Sequence, residues 1–172
     1  EVVVTGDMEN LAYMLNSRRA DLVAGNITVT RQLAHSIQFS DHLTLTRQVL
    51  VQRKAGSPPG KSGIAAPLVR NTIDLIGKRV HVREGSAFYE RLRNLSEEIG
   101  GDITIVKEPG DMSTEDLIKK VALGEIDYAV ADEGTALINA AYYSSLDVQL
   151  PISFPQRVAW VVRSRSPELL SA

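Results

Sequence analysis

The strongest constraint on this chain is a repeated change of period. Short runs rich in Val, Ile and Ala, closed by glycine or a polar residue, alternate with stretches whose apolar residues return at helical spacing. Val2 to Val4 reads as a strand already under way, and Met8, Leu11, Ala12 and Leu15 continue as a helix to the Asn16-Ser17 stop. Asp21 to Ala24 is a strand ending at Gly25, and Asn26 to Thr30 is a polar turn in which Thr30 caps a short helix running to His35. Gln48 to Gln52 is a strand. Arg79 to Val82 is another, before a helix opened by Gly85-Ser86, striped with Phe88, Leu92, Leu95 and Ile99 and closed by Gly100-Gly101. Ile103 to Val106, a helix from Ser113-Thr114, Asp127 to Ala131 and a helix over Ala136 to Ala141 repeat the theme. Arg157 to Arg163 is a last strand, followed by a proline-initiated helix at Ser166-Pro167. Strands and helices in this order imply an α/β fold with mostly parallel sheets joined by right-handed crossovers.

The chain is long enough, at 172 residues, for one ordinary domain or two small lobes. The stretch Ala55 to Gly63 is turn-forming and poor in core residues, which marks a boundary between lobes. The strand after Gln156 resembles the Gln48 to Lys54 strand in its basic ending, which suggests that the chain leaves one lobe and later returns to it. The expected division is residues 1–54 for the first lobe, 55–153 for the second and 154–172 for the return. Hydrophobic residues at 44% and charged residues at 23% fit a globular chain rather than a disordered or fibrous one. A net charge of −2 with scattered basic pairs gives no reason to expect a nucleic-acid partner. The lack of cysteine excludes disulfides and thiolate chemistry.

Ligands of open α/β sheets bind beyond the carboxyl ends of strands, where helix N-termini present unsatisfied N–H groups. Three segments fit. Gly85-Ser86 combines close backbone approach with a hydroxyl, suited to a carboxylate, although from spacing alone Ser86 as a plain helix cap is the weightier explanation of the pattern, by about two to one. Asn26, Thr28 and Thr30 offer an amide and two hydroxyls, or an ordinary turn. Asp132-Glu133 follows a buried strand, where a carboxylate accepts from an ammonium or hydroxyl, or simply sits favourably at a helix N-terminus. Enzymatic readings fare worse. Adjacent carboxylates seldom straddle a glycosidic bond across the roughly 5–9 Å required. His35, His42 and His81 lack metal-motif spacing and suit surface or core-edge positions, and Gly60-Lys61-Ser62 lacks the rest of a phosphate-binding loop. No catalytic residue, metal or cofactor is expected.

Asp21-Leu-Val-Ala-Gly-Asn-Ile-Thr-Val-Thr30 with Phe39-Ser40-Asp41, then Arg83-Glu-Gly-Ser86, then Gly124-Glu-Ile-Asp-Tyr-Ala-Val-Ala-Asp132, resemble in order the blocks of the type 3 extracellular solute-binding family. The resemblance covers nearly the whole chain. It implies the bilobal, hinge-closing type 2 periplasmic-binding fold, with the first strand and helix of the first lobe missing before Glu1. Asp116 to Asp132 and Gln156 to Arg163 further resemble regulatory solute-binding domains of membrane-bound lytic murein transglycosylases. That implies a partner in a separate C-terminal transglycosylase domain, a periplasmic location, free or tethered to the outer membrane, and a muropeptide or amino-acid ligand. The alternative is an amino-acid receptor of an ABC transporter. The resemblance places Thr28 and Ser86 on a ligand carboxylate and Asp132 on an α-amino group. The family's carboxylate-binding arginine falls three residues after Thr30, where this chain has Leu33, and Arg31 stands where proline is usual. Leucine cannot replace a bidentate guanidinium, so the implication is Arg31 acting from another angle, or a different ligand.

Overall fold

The computed structural model describes residues 11–58, 66–164 and 166–169, apart from the side chains of Asn26, Gln32 and Pro167. The expected strand at Val2 to Val4, the start of the first helix, and Gly60-Lys61-Ser62 lie outside these residues. The chain divides into two compact units, residues 1–46 with 155–172, and 47–154.

The first unit holds α1 (Leu11–Asn16), β1 (Leu22–Thr28), the single turn α2 (Arg31–Ala34), β2 (Ile37–Phe39), β3 (Thr44–Thr46) and the long β9 (Gln156–Arg163). The central strand is β9, to which β1, β2 and β3 all pair antiparallel. Leu11, Leu15, Ile27, Ile37 and Val161 form its core. The strand β1 outruns the sequence expectation, continuing through Gly25 and Asn26 to Thr28. Four steps along β1 from Val23 to Ile27 oppose two along β9, from Val161 to Ala159. This irregularity absorbs Gly25-Asn26 without ending the strand, because β9 supplies a ladder on both sides of it.

The second unit runs through β4 (Gln48–Arg53), a 3-10 turn (Thr72–Leu75), β5 (Arg79–Arg83), α3 (Ala87–Ile99), β6 (Thr104–Glu108), α4 (Thr114–Ala122), β7 (Tyr128–Asp132), α5 (Glu133–Tyr142) and the two-residue β8 (Leu146–Asp147). The sheet order is β6-β5-β7-β4-β8. Alternation sends Leu50, Val80, Val82, Tyr128 and Val130 to one face, packed on Phe88, Leu92 and Leu95 of α3. Val49, Val51, Ala129 and Ala131 go to the other, against Leu117, Ile118 and Val121 of α4 and Ala136 of α5. Covering on both faces explains why β4 and β7 read as unbroken apolar runs rather than alternating ones. Buried Gln52 is accommodated because its side-chain amide pairs twice with the Val69 backbone, at 2.8 Å each way.

Two expectations need correction. Parallel pairing is confined to β6-β5-β7, while β4 pairs antiparallel with both β7 and β8, so the sheet is mixed. Parallel neighbours need a helical crossover. The β5–α3–β6 and β6–α4–β7 segments contain one, whereas β4 precedes every α-helix of its unit and β9 enters among strands from the other end of the chain. The first boundary also shifts: β4 lies with the second unit, hydrogen-bonded to β7 and β8, instead of closing the first at Lys54. Ser166 to Leu169 forms a 3-10 turn at Pro167–Leu169.

Candidate functional site

Strands β5 and β7 are adjacent and parallel, with Val80 opposite Tyr128 and His81 opposite Ala129. In that register they end almost level, so the connections after Arg83 and after Asp132 share the carboxyl edge of one sheet.

After β5, Gly85 turns the chain with φ 71° and Ser86 becomes the N-cap of α3 in an extended conformation. The Ser86 hydroxyl does not cap the helix. It donates back to the Arg83 carbonyl at 2.6 Å and makes no capping hydrogen bond to the thirteen-residue α3. The capping explanation of Ser86 therefore fails as far as its hydroxyl is concerned, and the partial positive end of the helix stays open to an anion.

After β7, Asp132 is the N-cap of α5 and again makes no side-chain cap hydrogen bond. Among the described residues its buried Oδ1 has no hydrogen-bond partner. Burial pushes its carboxyl up to about 6 from an ordinary 3.8. A desolvated carboxylate with an unsatisfied oxygen is an acceptor for an ammonium or a hydroxyl donor. The backbone around it is held in place: the Glu133 N–H donates to the Arg47 carbonyl at 2.8 Å, and Gln48 is the register partner of Asp132.

Arg83, not singled out from the sequence, has a buried Nε without a partner among the described residues. It does not neutralise Asp132. Alternation along β5 groups Arg83 with His81, whereas Asp132 follows Tyr128 and Val130 on β7, so the two side chains leave the sheet on opposite faces. Arg83 opens the Arg83-Glu-Gly-Ser86 block quoted for the resemblance, but its burial has no local signal, since it depends on where β5 ends.

In the first unit, Thr28 is the last residue of β1, opposite Val158, and Thr30 accepts the Leu33 N–H on Oγ1 at 3.2 Å, as expected of a cap. Arg31 opens α2 and is exposed. The side chain of Asn26 lies outside the described residues. Leu33 packs against the core of Leu11, Leu15, Ile27, Ile37 and Val161. That position serves packing here, and no guanidinium is supplied from it. The six expected site residues thus fall into two sets, Asn26, Thr28, Thr30 and Arg31 in the first unit and Ser86 with Asp132 in the second.

The histidines are elsewhere. His35 and His42 are exposed, and His81 Nδ1 lies 2.7 Å from Glu108 Oε1, with Lys120 Nζ 3.5 Å from Oε2. The hydrogen bond from His81 and the nearby Lys120 hold the Glu108 carboxyl below its usual value. Among the described residues no cluster of three His, Asp or Glu side chains could hold a metal, and no helix is long and apolar enough to cross a membrane.

No protein-family model matches the chain. It is 33% identical over 161 residues, 94% of its length, to membrane-bound lytic murein transglycosylase F of Desulfosudis oleivorans. It is likewise 33% identical over 158 residues, 90% of its length, to the protein of that name from Saccharophagus degradans. The match spans 33% and 29% of those two relatives, so the chain corresponds to about a third of each. Among solved structures it superposes on the substrate-binding protein of an amino acid ABC transporter with a TM-score of 0.79 and 20% identity, covering 99% of this chain and 69% of that one. It also superposes on an ancestral arginine-binding protein bound to arginine with a TM-score of 0.76 and 21% identity, covering 96% and 67%. The chain therefore has the α/β fold of solute-binding proteins and is a sequence relative of membrane-bound lytic murein transglycosylase F, of whose length it spans about a third.

Proposed function

We propose that this chain is the solute-sensing part of a peptidoglycan lytic transglycosylase, binding a small polar ligand that carries a cationic nitrogen, a muropeptide or an amino acid. The observation that carries this reading is Asp132, a buried carboxylate with an unpartnered oxygen at the carboxyl edge of the second unit's sheet. The uncapped N-terminus of α3 beside Ser86 supplies the complementary positive end for a ligand carboxylate. In the first unit, taken by itself, Asn26, Thr28, Thr30 and Arg31 are proposed as a separate set of ligand contacts. The names of the sequence relatives support the lytic-enzyme context and a periplasmic setting. Binding would bias a conformational equilibrium that a separate catalytic domain reads, and the chain itself would turn over no peptidoglycan.

A transport receptor for amino acids is the second reading, favoured by structural likeness to an amino acid ABC transporter's substrate-binding protein. Leu33 weighs against it, because the core position it occupies offers no guanidinium for a free amino acid's carboxylate. A thermal-shift screen of purified muropeptides and of the proteinogenic amino acids, on wild type and on Asp132→Asn, separates the readings. The proposal expects stabilisation by muropeptides that is absent in Asp132→Asn. Stabilisation by amino acids alone would favour the receptor, and equal shifts in the variant would remove Asp132 from the site.

A further inference from the structure

The opposite end of β4 and β7, five residues and about 17 Å along the strands from Asp132, contains a second unsatisfied group. Arg53 closes β4 with a side chain only 8% exposed. Its Nη2 lies 3.3 Å from Asp127 Oδ1, but Nη1 is buried and has no partner among the described residues. Beside it is a cavity of about 40 Å³ lined by Gln52, Lys54, Ser57, Asp127 and Tyr128 among others. That is ample for a water, which needs roughly 10–15 Å³, yet far too small for a sugar or nucleotide.

Among the described residues none of the lining groups accepts from Arg53 Nη1. The Gln52 amide is spent on Val69, the Tyr128 hydroxyl donates to the Pro67 carbonyl, and Lys54 Nζ donates to the Ser144 carbonyl at 2.8 Å. Arg53 meets Asp127 through Nη2 alone, and exposed Lys54 adds a second positive charge to the cavity wall. A guanidinium N–H buried without an acceptor is costly, and a charge-assisted bond to an anion relieves it better than a neutral partner. We propose that the second unit holds one small monoanion, a halide or a carboxylate, on Arg53 Nη1 in this cavity. The site is independent of the ligand reading at Asp132 and stands or falls without it.

Chloride-35 NMR line width, measured on the whole chain at constant ionic strength with gluconate as the balancing anion, tests the proposal. Wild type is expected to broaden the chloride line in a saturable way, and Arg53→Met to abolish that broadening. Acetate displacing the effect identifies a carboxylate occupant, and acetate leaving it in place identifies a halide. Should Arg53→Met not fold, Asp127→Asn serves instead: removing the like-charged neighbour is expected to tighten chloride binding roughly tenfold. Broadening absent in wild type, equal in folded Arg53→Met, or unchanged by Asp127→Asn overturns the proposal and assigns the cavity to water.

Discussion

Asp132 carries a stability cost that follows from its surroundings. Its carboxyl titrates near 6 in the folded protein against an ordinary 3.8, because burial disfavours the charged form. Folding therefore favours the protonated state. The associated stability is fully present below about pH 4 and is lost as pH rises through about 6. Asn is isosteric, serves equally as an N-cap and never ionises. Asp132→Asn is thus expected to be more stable than wild type by about 3 kcal/mol at pH 8 and equal to it at pH 3.5. Urea denaturation at the two pH values checks this; a variant less stable at pH 8 would show that the carboxylate is satisfied in the fold. At this scale the sequence was partly legible. The placement of Asp132 after a buried strand was visible, but its lack of a partner depends on strand alternation sending Arg83 to the other face. The roles of Leu33 and Arg53 were invisible for the same reason, since what each touches is settled by residues far along the chain.

Among elements, those with both a period and a terminator were read well. The helix α3 has its Phe88, Leu92 and Leu95 stripe inward and ends at Gly100, whose φ of 67° is the left-handed conformation a helix C-cap commonly adopts. A methyl group added there would touch nothing within 4 Å, so Gly100→Ala isolates the backbone cost. The expected loss is about 1 kcal/mol, seen as a lower urea midpoint at unchanged m-value, and no change in midpoint would contradict the assignment. Likewise α4 starts where Ser113 and Asp116 form a reciprocal capping box. Elements that depend on distant partners were read less well. The extension of β1 through Gly25-Asn26 exists because β9, more than a hundred residues later, pairs on both sides of the irregularity. The antiparallel direction of β4 has no local signal either, since an apolar run looks the same in both directions.

For the molecule as a whole, the period changes were enough to announce an α/β chain, and the resemblance of separated blocks supplied the two-unit organisation. The position of the first division was not legible. A turn-rich stretch at 55–63 looked like the natural break, whereas the division falls at 46/47, between β3 and β4, where composition does not change. There β3 pairs with β9 and β4 with β7, so partner choice decides the division. The proposed function rests on Asp132 receiving, in its ionised form, the cationic nitrogen of a ligand. Isothermal titration of a muropeptide with a free ammonium group, at pH 7.5 and at pH 5, tests it most directly. With the carboxyl near 6, wild-type affinity is expected to weaken about tenfold between those values, and Asp132→Asn to bind weakly and alike at both. Equal wild-type affinity at the two pH values, or undiminished binding by Asp132→Asn, would contradict the account.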